Sequence, residues 1–460
     1  MADRILTAAL ETCPTHSGVL RTLAELRFSQ ERYADAEELA RGFVALEPNS
    51  EWGWNLLGSS RYLIDDSQGA LEAWNQIGRP VVRELRVEGL DPAPDPLRGM
   101  RTGWVLTPDR MLLQERRLTD LPSVDGARLA YRPLPNGGAR VDVFVLSAPP
   151  HPFTAAQLPA HLVRAIRGQV ELGAGGLTGP LDRWVVVAWR EGSLDHLGGT
   201  VSHPAPRGEG IWLWRAGRER GRFDLAPQAA DPGEIRESMV GAQWGWVHRP
   251  LPRIRGAVSL GFEDRETLGA GPTGGVRVGF EGDPWIFQLE VEAGRAGESF
   301  VRSRVDAERV VPLGNGLEVE LRGTGISVSA HVPPDLQPRF GADRSATHLM
   351  RAGAAVDSDG VVRMAYPGTK WVTGGGELRH WPEWPLGRLL GVAAFLDGVR
   401  TVGGGKAAGS RGGVHVGGGF RVRIPGLRDT LRVDWAMDPA TGESRLSAAF
   451  LAPPGLPELR

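Results

Sequence analysis

Leu431 to Ala436 reads LRVDWA, and shortly before it Gly418 to Pro425 reads GGFRVRIP. In both stretches apolar residues (Leu431, Val433, Trp435; Phe420, Val422, Ile424) alternate with residues that often carry charge. A period of two is the mark of a β-strand, whose successive side chains point to opposite faces. Further toward the N-terminus, Leu317, Val319 and Leu321 alternate with Glu318, Glu320 and Arg322, and Phe287, Leu289 and Val291 with Gln288, Glu290 and Glu292. The pattern returns at Val276, Val278, Phe280 and at Val258, Leu260, Phe262. A transmembrane barrel turns such an apolar face to lipid and encloses the polar one. A soluble β-sandwich alternates as well, because its inner faces meet each other, so alternation alone leaves both open.

Tryptophan placement favours lipid. Of the 15 tryptophans, several stand two apart, as in Trp212/Trp214 and Trp244/Trp246. Such spacing suits the interfacial girdles of a membrane barrel. Residues 155–455 therefore read as an antiparallel outer-membrane β-barrel. At roughly ten residues per strand they hold about 12 to 16 strands, with about 16 favoured.

Composition agrees with many short strands joined by turns: 63 glycines and 35 prolines punctuate 460 residues, a length that calls for several units. A net charge of -2 offers no field for a polyanion, which argues against nucleic acid as a partner. One cysteine, Cys13, excludes an internal disulfide and a cysteine-based zinc site. No stretch approaches the roughly 18 to 20 apolar residues of a membrane-spanning helix. Met1 to Leu10 (MADRILTAAL) lacks the charged-then-apolar pattern of a secretory signal, so the expectation is a processed or truncated start.

The N-terminal region has a different period. Leu20, Leu23, Ala24, Ala36, Phe43 and Pro48 match Trp54, Leu57, Gly58, Ala70 and Ile77 at an offset of 34. That spacing resembles tetratricopeptide repeats over residues 1–79, all-α units that commonly bind a partner in a groove, although a ligand-free spacer fits too. Residues 80–150 then read as a small α/β unit. Val82 to Leu90 is a strand, Thr107-Pro108-Asp109 starts a helix with Met111, Leu112, Leu118 and Leu121 on one face, and Pro122 stops it. Ala127 to Tyr131 and Ala139 to Leu146 flank the turn Pro135-Asn136-Gly137-Gly138 as a hairpin. This order resembles a polypeptide-transport-associated (POTRA) domain, whose sheet edge can accept an extended strand.

Four motifs near the C-terminus, GGGELR (Gly374–Arg379), LGVAAFLDG (Leu390–Gly398), GGFRVRIP and LRVDWA, stand in an order and spacing that resemble the bacterial surface antigen family. That family contains the outer-membrane assembly factors of BamA and TamA type. The resemblance implies an outer-membrane protein, with its N-terminal modules in the periplasm, that assembles, inserts or translocates client polypeptides. Its implied partners are clients, periplasmic accessory proteins and outer-membrane lipid. The alternatives are a secretion pore dedicated to one partner and a soluble repeat scaffold. The resemblance also implies that an arginine in an inward-folded loop pairs with carboxylates on the barrel wall. Here Arg351 is the matching arginine, and Glu377 and Asp397 are the carboxylates. The sequence departs from the family's Arg-Gly-aromatic motif, carrying Ala352-Gly353 after the arginine. It departs again at the last strand, Arg445 to Leu451, where Phe450 takes the place of a terminal aromatic and residues 452–460 follow.

No catalytic constellation is visible: the histidines are scattered and no Gly-x-Ser-x-Gly elbow occurs. Gly403-Gly404-Gly405-Lys406 lacks the remainder of a phosphate loop and reads as a hairpin loop. The expectation is a protein that is not an enzyme and carries no cofactor or metal.

Overall fold

A computed structural model describes residues 2–89, 100–148, 161, 165, 168–179, 181–205, 210–224, 234–329, 332–341, 348–362, 366, 368–384, 387, 389–401, 412–423 and 430–451. The Gly403–Lys406 loop, Ile424 and Pro425 of GGFRVRIP, the side chain of Phe450 and the tail from Ala452 lie outside these residues.

The N-terminal unit begins with five helices: α1 (Ala2–Thr12), α2 (Ser17–Ser29), α3 (Tyr33–Leu46), α4 (Glu51–Leu63) and α5 (Ser67–Asn75). Consecutive helices pack on one another through Leu20, Ala24, Ala40, Phe43, Leu57 and Ala73. Glycine sets how closely they approach. A Cβ on Gly58 would lie 2.5 Å from the Trp74 ring, and one on Gly53 would lie 2.7 Å from Phe43. Ser50 caps α4, its hydroxyl accepting from the Gly53 amide at 3.2 Å.

Three strands follow, β1 (Val81–Glu88), β2 (Val124–Leu134) and β3 (Gly138–Ser147), in the order β1-β3-β2, with α6 (Pro108–Thr119) between the first two in sequence. Thr107 caps α6 and proline occupies its first turn, as the sequence predicts. In the β2–β3 turn, Asn136 and Gly137 both take positive φ, which asparagine and glycine tolerate best. Tyr131 of β2 packs with Tyr62 and Trp74, and its hydroxyl donates to the Ser67 carbonyl at 2.8 Å. The helices and the small sheet thus share one compact unit. Burial, with the nearby Tyr62 and Asp66, raises the Tyr131 pKa.

The second unit is one large antiparallel sheet. Its strands are β4 (Gln169–Gly175), β5 (Arg183–Glu191), β6 (Leu194–Pro204), β7 (Ile211–Asp224), β8 (Glu234–Leu251), β9 (Ile254–Arg265), β10 (Gly269–Glu281), β11 (Trp285–Ala296), β12 (Glu298–Gly314) and β13 (Leu317–Val328). After the short parallel pair β14 (Phe340–Gly341) and β15 (His348–Leu349) come β16 (Lys370–His380), β17 (Leu390–Thr401), β18 (Gly412–Arg423), β19 (Thr430–Met437) and β20 (Ser444–Leu451). Each strand pairs with its sequence neighbour, β13 pairing with β16 across the β14–β15 segment, to give 15 strands among the described residues. That count lies inside the expected range and one below the favoured 16. Strands β4 and β20 end the order, with no ladder between them among the described residues.

The faces of this sheet distinguish lipid from a second sheet. Val258, Val276 and Val291 stand side by side on β9, β10 and β11, and all three are exposed. Leu260 is 64% exposed and Phe420 62%, whereas Glu377, Asp397, Arg421 and Asp434 on the opposite face are at most 1% exposed. A soluble sandwich buries its apolar face; here the polar face is the buried one, the arrangement of a membrane barrel. The girdle expectation has a counterpart in Trp212 beside Trp246 and Trp214 beside Trp244 on β7 and β8, with the Trp212 and Trp244 rings 4.9 Å apart.

Candidate functional site

The segment between β13 and β16 is held against strands from both halves of the sheet order. Toward the N-terminal half, the Ser193 amide donates to the Gly360 carbonyl at 2.9 Å and Val362 bridges to Phe223 of β7. Arg339 reaches Glu219 of β7 at 3.3 Å, and Asp335 pairs with Arg265 of β9. Toward the C-terminal half, Ala352 bonds His415 of β18, and Arg445 of β20 donates to the Gly353 carbonyl at 3.1 Å. One segment can touch strands so distant in the order only if the sheet is rolled about it.

Arg351, Glu377 and Asp397, the three residues singled out from the sequence, meet here. Arg351 is completely buried. Its Nη2 donates to Glu377 on β16 at 2.6 Å, while its Nε lies 3.4 Å from Asp397 on β17 and 3.5 Å from Asp434 on β19. The guanidinium carbon sits 3.7 Å from the centre of the Phe395 ring, so a wall residue supplies an aromatic face to a loop motif that carries none of its own. In place of the family's glycine and aromatic, the Ala352 amide donates to His415 Nδ1 at 3.0 Å, which fixes that nitrogen as the unprotonated one.

The cluster extends beyond those three. Glu377 also accepts from Arg379 Nε at 2.6 Å and Arg421 Nε at 2.7 Å. Asp434 accepts from Arg421 Nη1 at 2.6 Å and Arg432 Nη1 at 2.5 Å. Asp397 accepts from Arg322 Nη2 at 2.6 Å, and Arg379 continues to Glu320 on β13. Buried charge is tolerated only when paired and hydrogen-bonded, and each carboxylate here faces more than one guanidinium. Arg421, Arg432, Asp434 and Arg379 are absent from the sequence-derived set. Their signal was nonetheless present, since they are the charged members of the alternating motifs FRVR, LRVDWA and GGGELR.

The glycines of those motifs make room for the charges. A Cβ on Gly375 would lie 2.9 Å from Arg322 Nε and 3.0 Å from Asp397 Oδ1, inside that ion pair. One on Gly419 would come within 2.4 Å of Asp434 Oδ1, and one on Gly417 within 2.6 Å of the Phe395 ring. Glycine in a strand marks close approach by a neighbour, and two strands, β16 and β18, here yield that space to one cluster.

Among the described residues no helix is long and apolar enough to cross a membrane, a finding that does not bear on a β-barrel. No protein-family model matches the chain, and no curated protein matches it. Solved structures do. A crystal structure of BamA from Haemophilus ducreyi lacking POTRA domains 1-3 is similar at TM-score 0.50 and 11% identity, over 80% of this chain and 83% of that one. CdiB from Acinetobacter baumannii is similar at TM-score 0.54 and 10% identity, over 81% and 73% of the two chains. CdiB from Escherichia coli is similar at TM-score 0.52 and 13% identity, over 81% and 75%. At such identities the likeness is one of fold, and the fold is that of these outer-membrane barrels.

Proposed function

We propose that this chain is an outer-membrane β-barrel that takes part in assembling, inserting or translocating client polypeptides. In this reading residues 1–79 are tetratricopeptide-like repeats and residues 80–150 a POTRA-like domain, both on the periplasmic side, where they receive clients and accessory proteins. The observation that carries the proposal is a sheet with its apolar face outward, rolled about a segment pinned by the buried Arg351. The likeness in fold to BamA and to CdiB supports it. Arg351, Glu377 and Asp397 hold that segment in the lumen; they bind no cofactor and perform no chemistry on a client.

The likeness to CdiB favours a second reading, a pore dedicated to secreting one partner. The two readings divide on what the N-terminal unit touches. β2 is an edge strand of the small sheet, so a photo-crosslinking residue in place of the exposed Arg128 samples what is added there. Adducts in intact cells with several outer-membrane polypeptides support assembly, and a single secreted adduct supports the dedicated pore. Absence of any polypeptide adduct at this and neighbouring edge positions counts against both.

A further inference from the structure

We infer that the inner face of β7–β11 carries a binding site for a carboxylate group on a short aliphatic stem, with Arg215 as its receptor. An open depression lies over this face, lined among others by Leu213, Arg215, Gln243, Ala257, Ser259 and Arg277. Its floor is low for a reason visible in the register. Gly245, Ser259 and Gly275 stand opposite one another on β8, β9 and β10, so three adjacent strands present small residues in one row. Arg215 and Gln243, directly paired on β7 and β8, stand on one side of that row, and Arg277 and Glu290, paired on β10 and β11, on the other.

The charges around the depression do not cancel. Arg277 is taken up by Glu290 at 2.8 Å, and Glu292 by Arg302 at 3.6 Å. Arg215 is left over, with its Nε and Nη2 both buried and neither donating to a protein group. Those two N–H groups lie on the same edge of a guanidinium and point the same way. They form the fork that receives the two oxygens of a carboxylate in parallel. Gln243 offers an amide beside the fork, and Leu213 and Ala257 give apolar surface for a stem. The recognised chemistry is a carboxylate, carried either by an acidic side chain of a polypeptide or by a small organic acid. The inference does not depend on a client-handling role.

The test uses the full chain in deuterated detergent micelles and ligand-observed saturation-transfer NMR. The probes are N-acetylglutamate α-amide, its glutamine counterpart, and acetate. A saturating response to the glutamate probe is expected, together with a response to the glutamine probe weaker by about tenfold. Arg215→Gln is expected to weaken the glutamate response by a similar factor. Arg215→Lys, which keeps charge and loses the fork, is expected not to restore it, and an unchanged heat-dependent gel shift controls for folding in both variants. Acetate competing as well as the glutamate probe assigns the site to free small acids; weaker competition assigns it to acidic side chains. Equal responses from wild type and Arg215→Gln, from the glutamate and glutamine probes, or full rescue by lysine would overturn the inference.

Discussion

Replacing Arg351 with alanine removes one guanidinium from a buried cluster, and the partners left behind set the cost. Glu377 loses the 2.6 Å bond from Arg351 but keeps Arg379 and Arg421, and Asp397 keeps Arg322. Breaking a buried pair generally costs about 3–5 kcal/mol, because the remaining charge is stranded. Here no carboxylate is stranded, so the low end applies, about 3 kcal/mol including the lost contact with the Phe395 ring. Glu377→Ala is the harsher change. It leaves Arg351, Arg379 and Arg421 facing one another with a shared acceptor gone, and about 5 kcal/mol is expected. Reversible unfolding by guanidinium in lipid vesicles measures both, and the double variant should show a coupling energy of at least about 1 kcal/mol. Equal, additive losses below about 1 kcal/mol would refute the reasoning, since exposed ion pairs contribute no more than that.

Other consequences are as specific. Gly375→Val should drive a wedge between Arg322 and Asp397 and cost about 1–3 kcal/mol in the same unfolding measurement, while a valine at Gly374, on the opposite face, should be tolerated. Gly58→Val should push Trp74 away from α4 and loosen the helices, read as faster amide exchange over residues 51–75 with the sheet unaffected. Leu260→Arg places a charge on the outward face, and about 2–4 kcal/mol of stability should be lost in vesicles if that face meets hydrocarbon. The same variant in a barrel turned to water would lose almost nothing.

The strands were legible because alternation survives wherever one face meets an apolar medium and the other a polar one. Phe287-Gln288-Leu289-Glu290-Val291-Glu292 fixes both β11 and its orientation, since a slip of one residue would bury the whole apolar set. What alternation could not say was which face is buried, because that depends on how the sheet rolls and not on any one strand. The 34-residue offset likewise anticipated Ala24, Ala36 and Ala70, all fully buried, and Gly58 where Trp74 closes in. His16 as the cap of α2 was not foreseen, histidine being an unusual cap residue.

In the charge cluster, sequence motifs pointed to Arg351, Glu377 and Asp397, whose meeting spans up to 46 residues of chain. Arg421 and Asp434 joined them only through register. Arg421 lies opposite Gly391, whose neighbours in the same row of β17 include the small Ala393, and that gap lets it reach Glu377 one strand further on. Arg265 with Asp335 was illegible for a different reason: the acceptor sits in a single three-residue 3-10 turn, Pro334–Leu336, too short for a sequence period to place its side chain.

The central claim is that the polar face is the inside and the apolar face meets lipid. The most direct measurement is to express the full chain with an export signal, fractionate the cells, and compare its gel mobility with and without heating. Recovery in the outer membrane with a heat-dependent mobility shift is the predicted result. A chain that stays soluble without detergent and migrates identically before and after heating would contradict it.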